Sequence, residues 1–149
     1  MTKHPLIKLI IISQALVLFM LLSGCAGTPP QHIGMYPKKL QDCPDSPNCV
    51  SSDEKGDEHH INPISTTHQP ATSIALLKSI IKKDPNLLLI KQIDNYLYAQ
   101  FTSSILGFVD DLEFIVGETK IQVRSASRLG YSDFGANRKH IEAVRRQFK

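Results

Sequence analysis

The stretch from Leu87 to Ser127 has the pattern of two consecutive β-hairpins, and it restricts the fold more than any other part of the chain. The first hairpin pairs residues 87–93 with residues 96–102 around the two-residue turn Asp94-Asn95, so that Ile93 pairs with Tyr96 and Ile90 with Ala99. With this turn, one face of the hairpin is apolar and carries Leu88, Ile90, Leu97, Ala99 and Phe101. We expect this face to pack in the core.

The second hairpin pairs residues 108–116 with residues 119–127 around Gly117-Glu118, where glycine suits the first position of a type II′ turn. This register places Phe114 opposite Ile121 on one face. It places Asp111 opposite Arg124 on the other face. Opposite charges across an antiparallel pair indicate a sheet with one half-exposed face.

Amphipathic helix patterns precede and follow the two hairpins. The first begins after Ala71 and ends before Pro85, with apolar side chains at i, i+3 and i+7. The second begins near Asp133, a favourable N-cap residue, and its apolar stripe ends at Phe148. The sequence therefore predicts an α+β fold of order α-β-β-β-β-α, a four-stranded antiparallel meander with both helices packed on one face.

Two cysteines precede these elements and are predicted to form a disulfide. Cys43 and Cys49 enclose a short loop that contains two prolines. The alternative is a metal site that joins them to His59, His60 or His68. The five residues between the cysteines exceed the usual spacing of paired zinc ligands, so the prediction includes no metal site and no cofactor. We expect a disulfide-closed loop followed by a single domain over residues 43–149.

Residues 1–24 have the pattern of an export signal. Lys3 and Lys8 precede an apolar run from Leu9 to Leu22, which is shorter than the roughly 20 residues that span a bilayer. The sequence Leu22-Ser23-Gly24-Cys25 then resembles the lipobox of bacterial lipoproteins. That resemblance implies cleavage before Cys25 and acylation of this residue, which would anchor the chain in a membrane. An uncleaved membrane anchor and a freely secreted product are the alternatives.

The lipobox resemblance also implies a location in the cell envelope. Ala26 follows the cysteine, where aspartate would favour the inner membrane of a Gram-negative cell, so we expect the outer membrane, facing the periplasm. Residues 25–42 contain several glycines and prolines and little periodicity, and we interpret them as lipid anchor and flexible tether. Loss of Lys3 and Lys8 with the signal lowers the net charge from +3 to +1, which argues against nucleic acid as a partner.

A polar stretch after the last strand is the candidate ligand site. It runs from a strand through a turn into a helix, where arginines, hydroxyls and free amides at a helix start could hold a phosphate or carboxylate. The candidate residues are Arg124, Ser127, Arg128, Ser132, Asp133, Asn137 and Arg138. The alternative is that these groups satisfy one another, with Asp133 as a cap and Arg124 paired with Asp111.

Asp111 and Glu113 are the candidate catalytic residues. They lie on one face of a strand, whereas Asp110 points to the other face. Two carboxylates on one face could act as acid and base if their surroundings separate their pKa values. The chain contains no G-x-S-x-G, H-E-x-x-H, P-loop or G-x-G-x-x-G motif.

Three motifs in order resemble the domain of unknown function 1499 family. They are the segment 43–52 (CPDSPNCVSS), the segment 108–114 (FVDDLEF) and the stretch from Arg124 to Arg138. The similarity spans about residues 43–148 and implies a compact domain that often occurs near membranes, with no established activity. We therefore expect a non-enzymatic envelope lipoprotein that is a binding or accessory module for an envelope protein partner or a small anionic ligand. The alternative is a small extracytoplasmic hydrolase.

Overall fold

The fold is α+β, as predicted, and residues 39–148 form a mostly antiparallel sheet and two helices. The computed structural model describes residues 12–14, 26–35 and 39–148, so the lipidation site Cys25 and most of the signal lie outside the described residues. The elements in chain order are β1 (Cys49–Ser51), β2 (Ile64–Ser65), α1 (Pro70–Lys83), β3 (Leu87–Ile93), β4 (Tyr96–Thr102), β5 (Val109–Val116), β6 (Lys120–Ser127) and α2 (Ala136–Gln147). No helix in these three ranges is long and apolar enough to cross a membrane.

Strands β3 to β6 form the predicted meander, in which each strand pairs with the next along the chain. The prediction of four strands was incomplete, because β1 and β2 also pair with β6 and give a six-stranded sheet. These two strands have three and two residues. Segments that short show too little alternation to be recognised from sequence.

A β-bulge in β3 changes which leucines face the core. Ile93 pairs with Tyr96 as predicted, but the register shifts between Leu89 and Lys91, so Leu89 rather than Ile90 pairs with Ala99. A shift of one residue moves side chains to the opposite face. The predicted core residues Leu88 and Ile90 are therefore 62% and 44% exposed, while Leu87 and Leu89 pack against the core.

The turn of the second hairpin lies one residue further along than predicted. The Gly117 N–H donates to the Lys120 carbonyl at 2.9 Å, which leaves Glu118 and Thr119 as the turn residues. Arg124 consequently lies opposite Glu113 and not opposite Asp111. Because the register differs by two residues, every side chain of this hairpin keeps its predicted face.

Both helices pack on the same face of the sheet. Leu77 of α1 and Ile141 of α2 belong to one cluster of buried side chains with Leu97, Leu112 and Phe114 from the central strands. All five are fully buried. This apolar layer is the core of the domain.

The opposite face of the sheet is polar and is also covered. The Gly34 N–H donates to the Tyr96 hydroxyl at 3.1 Å, and a Cβ at Gly34 would lie 3.3 Å from the ring of Tyr98. Leu40 is buried. The described part of residues 25–42, predicted as a tether, thus lies across the sheet. The expectation of a half-exposed polar face was wrong, because Asp111 is buried beneath this segment.

Cys43 and Cys49 form the predicted disulfide, with their Cα atoms 5.7 Å apart. We expect a Cys43→Ser/Cys49→Ser variant to lose about 2 kcal/mol of unfolding free energy, since the bridge restricts the unfolded chain. Urea unfolding of both proteins, with and without reductant, measures this loss. Reductant should lower the stability of the natural protein to that of the variant. Equal stability of the two proteins without reductant would contradict the prediction.

Candidate functional site

The polar face carries a buried cluster of ionised and phenolic side chains, which we call the charged cluster. Strand alternation places its members from β4, β5 and β6 on the side away from the helices, and Arg128 directly follows β6. They are Tyr96, Tyr98, Asp111, Glu113, Arg124 and Arg128. Arginines and carboxylates are rarely buried unless they are paired, so their partners decide what the cluster can do.

Arg128 and Asp111 form the stronger ion pair of the cluster. The Arg128 Nε donates to Asp111 Oδ2 at 2.9 Å and Nη2 donates to Oδ1 at 2.7 Å, a two-pronged arrangement that fixes both groups. The Tyr98 hydroxyl also donates to Asp111 Oδ1 at 2.7 Å. Both carboxylate oxygens of Asp111 are therefore occupied.

Arg124 and Glu113 form the weaker pair. The Arg124 Nη1 lies 3.3 Å from Glu113 Oε2, and the Tyr96 hydroxyl donates to Oε1 of the same carboxylate at 2.7 Å. The Arg124 Nε is buried and has no hydrogen-bond partner among the residues that the structure describes. The Arg124 guanidinium thus makes fewer and longer hydrogen bonds than the Arg128 guanidinium.

The two tyrosines keep their protons at neutral pH. Burial, together with the hydrogen bond to Asp111, raises the pKa of Tyr98 to about 12. Burial also raises the pKa of Tyr96, with an added contribution from its bond to Glu113. Each phenol therefore acts as a donor to the neighbouring carboxylate.

A cavity of about 270 Å³ lies between the charged cluster and the N-terminal segment. Its walls include Asp111, Arg124 and Arg128 on the sheet and His32 and Asp42 on the covering segment. The His32 Nε2 is buried and, like the Arg124 Nε, finds no hydrogen-bond partner in the described part of the chain. Burial lowers the pKa of His32, so the imidazole is neutral at neutral pH. Two residues of the cavity walls, His32 and Arg124, thus each have a buried polar atom without a hydrogen-bond partner among the described residues.

A second group of polar side chains lies on the helix side of the sheet. The Ser127 hydroxyl donates to Asp110 Oδ1 at 2.5 Å, and His140 Nε2 lies 3.0 Å from Asp110 Oδ2. The His140 ring packs on Phe101 with centroids 4.0 Å apart. These four residues line a largely apolar cavity of about 400 Å³.

Asn137 connects α2 to the sheet through a complete set of hydrogen bonds. The two hydrogens of its Nδ2 are shared among three acceptors at 2.8–2.9 Å, the Asn48 carbonyl, the Ser127 hydroxyl and Asp133 Oδ2. Its Oδ1 accepts from the Ser125 hydroxyl at 2.6 Å. This fully buried amide therefore has protein partners and is not available to a ligand.

The seven candidate ligand residues do not come together at one place. Arg124 and Arg128 lie on the polar face, whereas Ser127, Asp133 and Asn137 lie on the helix side. The Ser132 hydroxyl accepts the Phe134 N–H, and Arg138 donates to the Glu58 carbonyl. Of the seven, Arg124 and Arg128 line the cavity beneath the N-terminal segment, and Ser127, at the end of β6, borders this cavity as well as the one on the helix side.

Sequence reasoning missed His32, Tyr96, Tyr98 and the pair Asp110 and His140. The tyrosines carried a usable signal, because residues two apart on a strand share a face and this face already held the two acids. His32 lies in a segment without periodicity, and His140 reaches Asp110 from a distant helix, so neither carried a local signal. Within the three described ranges, no three His, Cys, Asp or Glu side chains come together as the ligands of a metal ion would.

Asp133 caps α2 from outside the helix. Its carboxylate accepts the N–H groups of Gly135 and Asn137, both at 2.8 Å. Burial alone would raise the pKa of Asp133, but these hydrogen bonds outweigh it and lower the pKa below the usual 3.8.

An Asp133→Ala variant should lose about 1 kcal/mol of unfolding free energy at pH 7, because the cap is removed. A carboxyl group with a lowered pKa in the folded state stabilises above its usual pKa and stops doing so as the pH falls through the folded value. The difference between the two proteins should therefore shrink below about pH 3.8. Urea unfolding at pH 7 and pH 3 measures it, with Asp57→Ala, an exposed position, as control. A constant difference at both pH values would contradict the role of the ionised cap.

A family model described as "Protein of unknown function (DUF1499)" matches residues 39–148. Neither a curated protein nor a solved structure matches the chain. The matched range contains all six strands, both helices, the disulfide and every member of the charged cluster. The chain therefore belongs to the DUF1499 family.

Proposed function

We propose that this protein is a lipid-anchored component of the cell envelope whose domain binds a small anionic ligand in the cavity beneath the N-terminal segment. The anchor is the acylated Cys25, with the outer membrane as the location. The sequence signal supports the anchor and the cavity supports the ligand. The two parts of the proposal are independent and are tested separately.

The observation that best supports the ligand proposal is the unpartnered Nε of the Arg124 guanidinium. Nη1 donates to Glu113, whereas the buried Nε has no hydrogen-bond partner among the described residues. Nε and Nη2 together form the edge of an arginine that binds both oxygens of a carboxylate or two oxygens of a phosphate. Leaving such a donor buried and unbonded costs about 1–3 kcal/mol, which a bound acceptor would recover.

The charges around the cavity favour Arg124 over Arg128 as the binding group. Asp111 already occupies two donors of Arg128. Asp42, another wall residue, pairs with Lys39 at 2.9 Å. Glu113 is shared between Tyr96 and Arg124, and its distance to Arg124 is the longest in the cluster. An incoming anion would therefore meet the least compensated positive charge at Arg124.

The alternative of a hydrolase has weaker support. Asp111 accepts hydrogen bonds from Arg128 and Tyr98, and Glu113 accepts from Arg124 and Tyr96. A general acid or base needs an oxygen within reach of the reacting proton. With both carboxylates held by two partners each, binding is the better supported function.

The ligand proposal is tested by titrating the protein with inorganic phosphate, acetate and citrate and following the melting temperature. A ligand that binds the folded state raises it in proportion to occupancy. We expect at least one probe to stabilise the natural protein and to lose this effect in Arg124→Lys, which keeps the charge and removes the two-pronged edge. Arg138→Lys, away from the cavity, is the matched control. If no probe acts, or if the two variants respond alike, the ligand proposal is wrong.

The anchor proposal is tested by mass spectrometry of the mature N-terminus. A chain that begins at an acylated Cys25 supports it. A chain that still begins at Met1, or an unmodified Cys25, contradicts it.

A further inference from the structure

Large apolar side chains are exposed around one end of the sheet, and we call them the apolar rim. Its members are Ile105, Leu106, Phe108, Leu129, Tyr131 and Phe134. Four of them line the cavity above Asp110 and His140, and the other two are neighbours in sequence of Leu106 and Gly130, which also line it. Single exposed apolar residues are common on protein surfaces, but a continuous group marks a surface that binds something.

Phe134 of the apolar rim has a strained backbone conformation. Its backbone has φ +53°, the left-handed region, and its side chain is 90% exposed. That conformation costs a residue with a Cβ roughly 1–2 kcal/mol. Glycine would remove this cost, and the folded domain gains little contact from an aromatic ring in solvent. Strain at an exposed aromatic residue therefore points to a role outside the folding of the domain.

The N-terminal segment reaches the protein surface beside this rim. A Cβ at Gly27 would lie 3.0 Å from Arg128 Cβ and 3.1 Å from Leu129 Cγ, so the backbone at Gly27 touches a rim residue. Cys25 precedes Gly27 by two residues, and two residues span at most about 7 Å. An acyl group on Cys25 would therefore leave the chain at the margin of the apolar rim.

We propose that the apolar rim lies against the lipid bilayer that holds the Cys25 acyl chains. This inference rests on the proposed lipid anchor. Because Cys25 precedes Gly27 by only two residues, the anchor would hold the rim at the membrane surface. Rim side chains such as Ile105, which is 94% exposed, would then move from water into the interfacial region of the bilayer. Burial of apolar area adds to the anchor and fixes the orientation of the domain, with the cavity above Asp110 and His140 opening toward the lipid.

Tryptophan fluorescence tests this orientation, because the chain contains no tryptophan. The full chain, purified from membranes, is reconstituted in vesicles of phosphatidylcholine with brominated acyl chains. Phe134→Trp places the single probe in the rim, and Leu88→Trp places it at an exposed leucine on β3, outside the rim. Both sites are solvent-exposed, so both variants should fold. We expect the rim probe to be quenched by brominated lipid and protected from iodide in the water, and the control probe to show the reverse.

The outcomes separate this proposal from the anchor on which it rests. Acylated Cys25 with both probes equally open to iodide overturns the membrane contact and leaves the anchor intact. A rim probe that is protected from iodide but not quenched by brominated lipid also overturns it, because a protein then covers the rim. An unmodified Cys25 overturns the anchor, which the mass of the N-terminus reports independently of either probe.

Discussion

Replacing Arg128 with methionine should lower the free energy of unfolding by about 3–5 kcal/mol, as expected when one partner of a buried ion pair is removed. The side chains of Arg128 and Asp111 are 6% and 2% exposed. Without the guanidinium, the Asp111 carboxylate would stay buried with Tyr98 as its remaining donor. Methionine has a similar length, so the loss reflects the charge more than a cavity. Urea denaturation followed by circular dichroism measures the difference.

Two matched variants distinguish this explanation from a general effect of removing arginine. Arg138→Met removes a hydrogen bond that is exposed, and it should change stability by no more than about 0.5 kcal/mol. A double variant with Arg128→Met and Asp111→Leu should recover part of the loss, because no unpaired charge is then buried. Tyr98 would still accept a hydrogen bond from Gln100. If Arg128→Met lowers the free energy of unfolding by less than about 1 kcal/mol, the ion pair behaves as a solvent-screened surface pair. The charged cluster is then not buried as described.

The sequence could predict this pairing only in part. Strand alternation correctly placed Asp111, Glu113 and Arg124 on one face, since a register error of two residues does not change faces. The same error assigned Arg124 to Asp111, although Arg124 pairs with Glu113 and Arg128 with Asp111. Turn chemistry decides register, and Gly117-Glu118 and Glu118-Thr119 are both acceptable two-residue turns until the hydrogen bond from Gly117 to Lys120 is known.

In the first hairpin, by contrast, a register error of one residue changes which side chains of β3 face the core. The run from Leu87 to Ile90 is apolar at every position, so its pattern does not indicate which side chains face inward. The bulge near Ile90 selects Leu87 and Leu89. The position of a bulge depends on the partner strand, and a run of uniformly apolar residues contains no pattern that indicates it.

The covering of the polar face is the feature with the greatest effect on the candidate site. Glycines and prolines in residues 26–35 indicate irregular backbone, and irregular backbone is compatible both with a free linker and with a segment packed on a sheet. The bond from Gly34 to Tyr96 distinguishes the two for the described residues. Because this segment covers the sheet, the acids and arginines of the charged cluster are buried ion pairs beside a cavity and not a solvated surface.

Asn137 should be the second position of large effect, because its amide joins three parts of the structure. It bonds to the carbonyl of Asn48 in the disulfide loop, to Ser125 and Ser127 on β6, and to Asp133 before α2.

We expect Asn137→Ala to cost about 3–5 kcal/mol, since it leaves several buried partners without a hydrogen bond, at about 1–3 kcal/mol for each group left unsatisfied, and such costs are not fully additive. Asn137→Asp keeps the oxygen that accepts from Ser125 but removes the amide donors and brings a second carboxylate to Asp133, so at pH 7 it should be no more stable than the alanine variant. Asn62→Ala, at an exposed site, is the control and should stay within about 0.5 kcal/mol of the natural protein. Urea unfolding of the three variants measures these differences. An Asn137→Ala protein as stable as the control would mean that α2 is held to the sheet by its apolar contacts through Ile141 and Val144 and not by this amide.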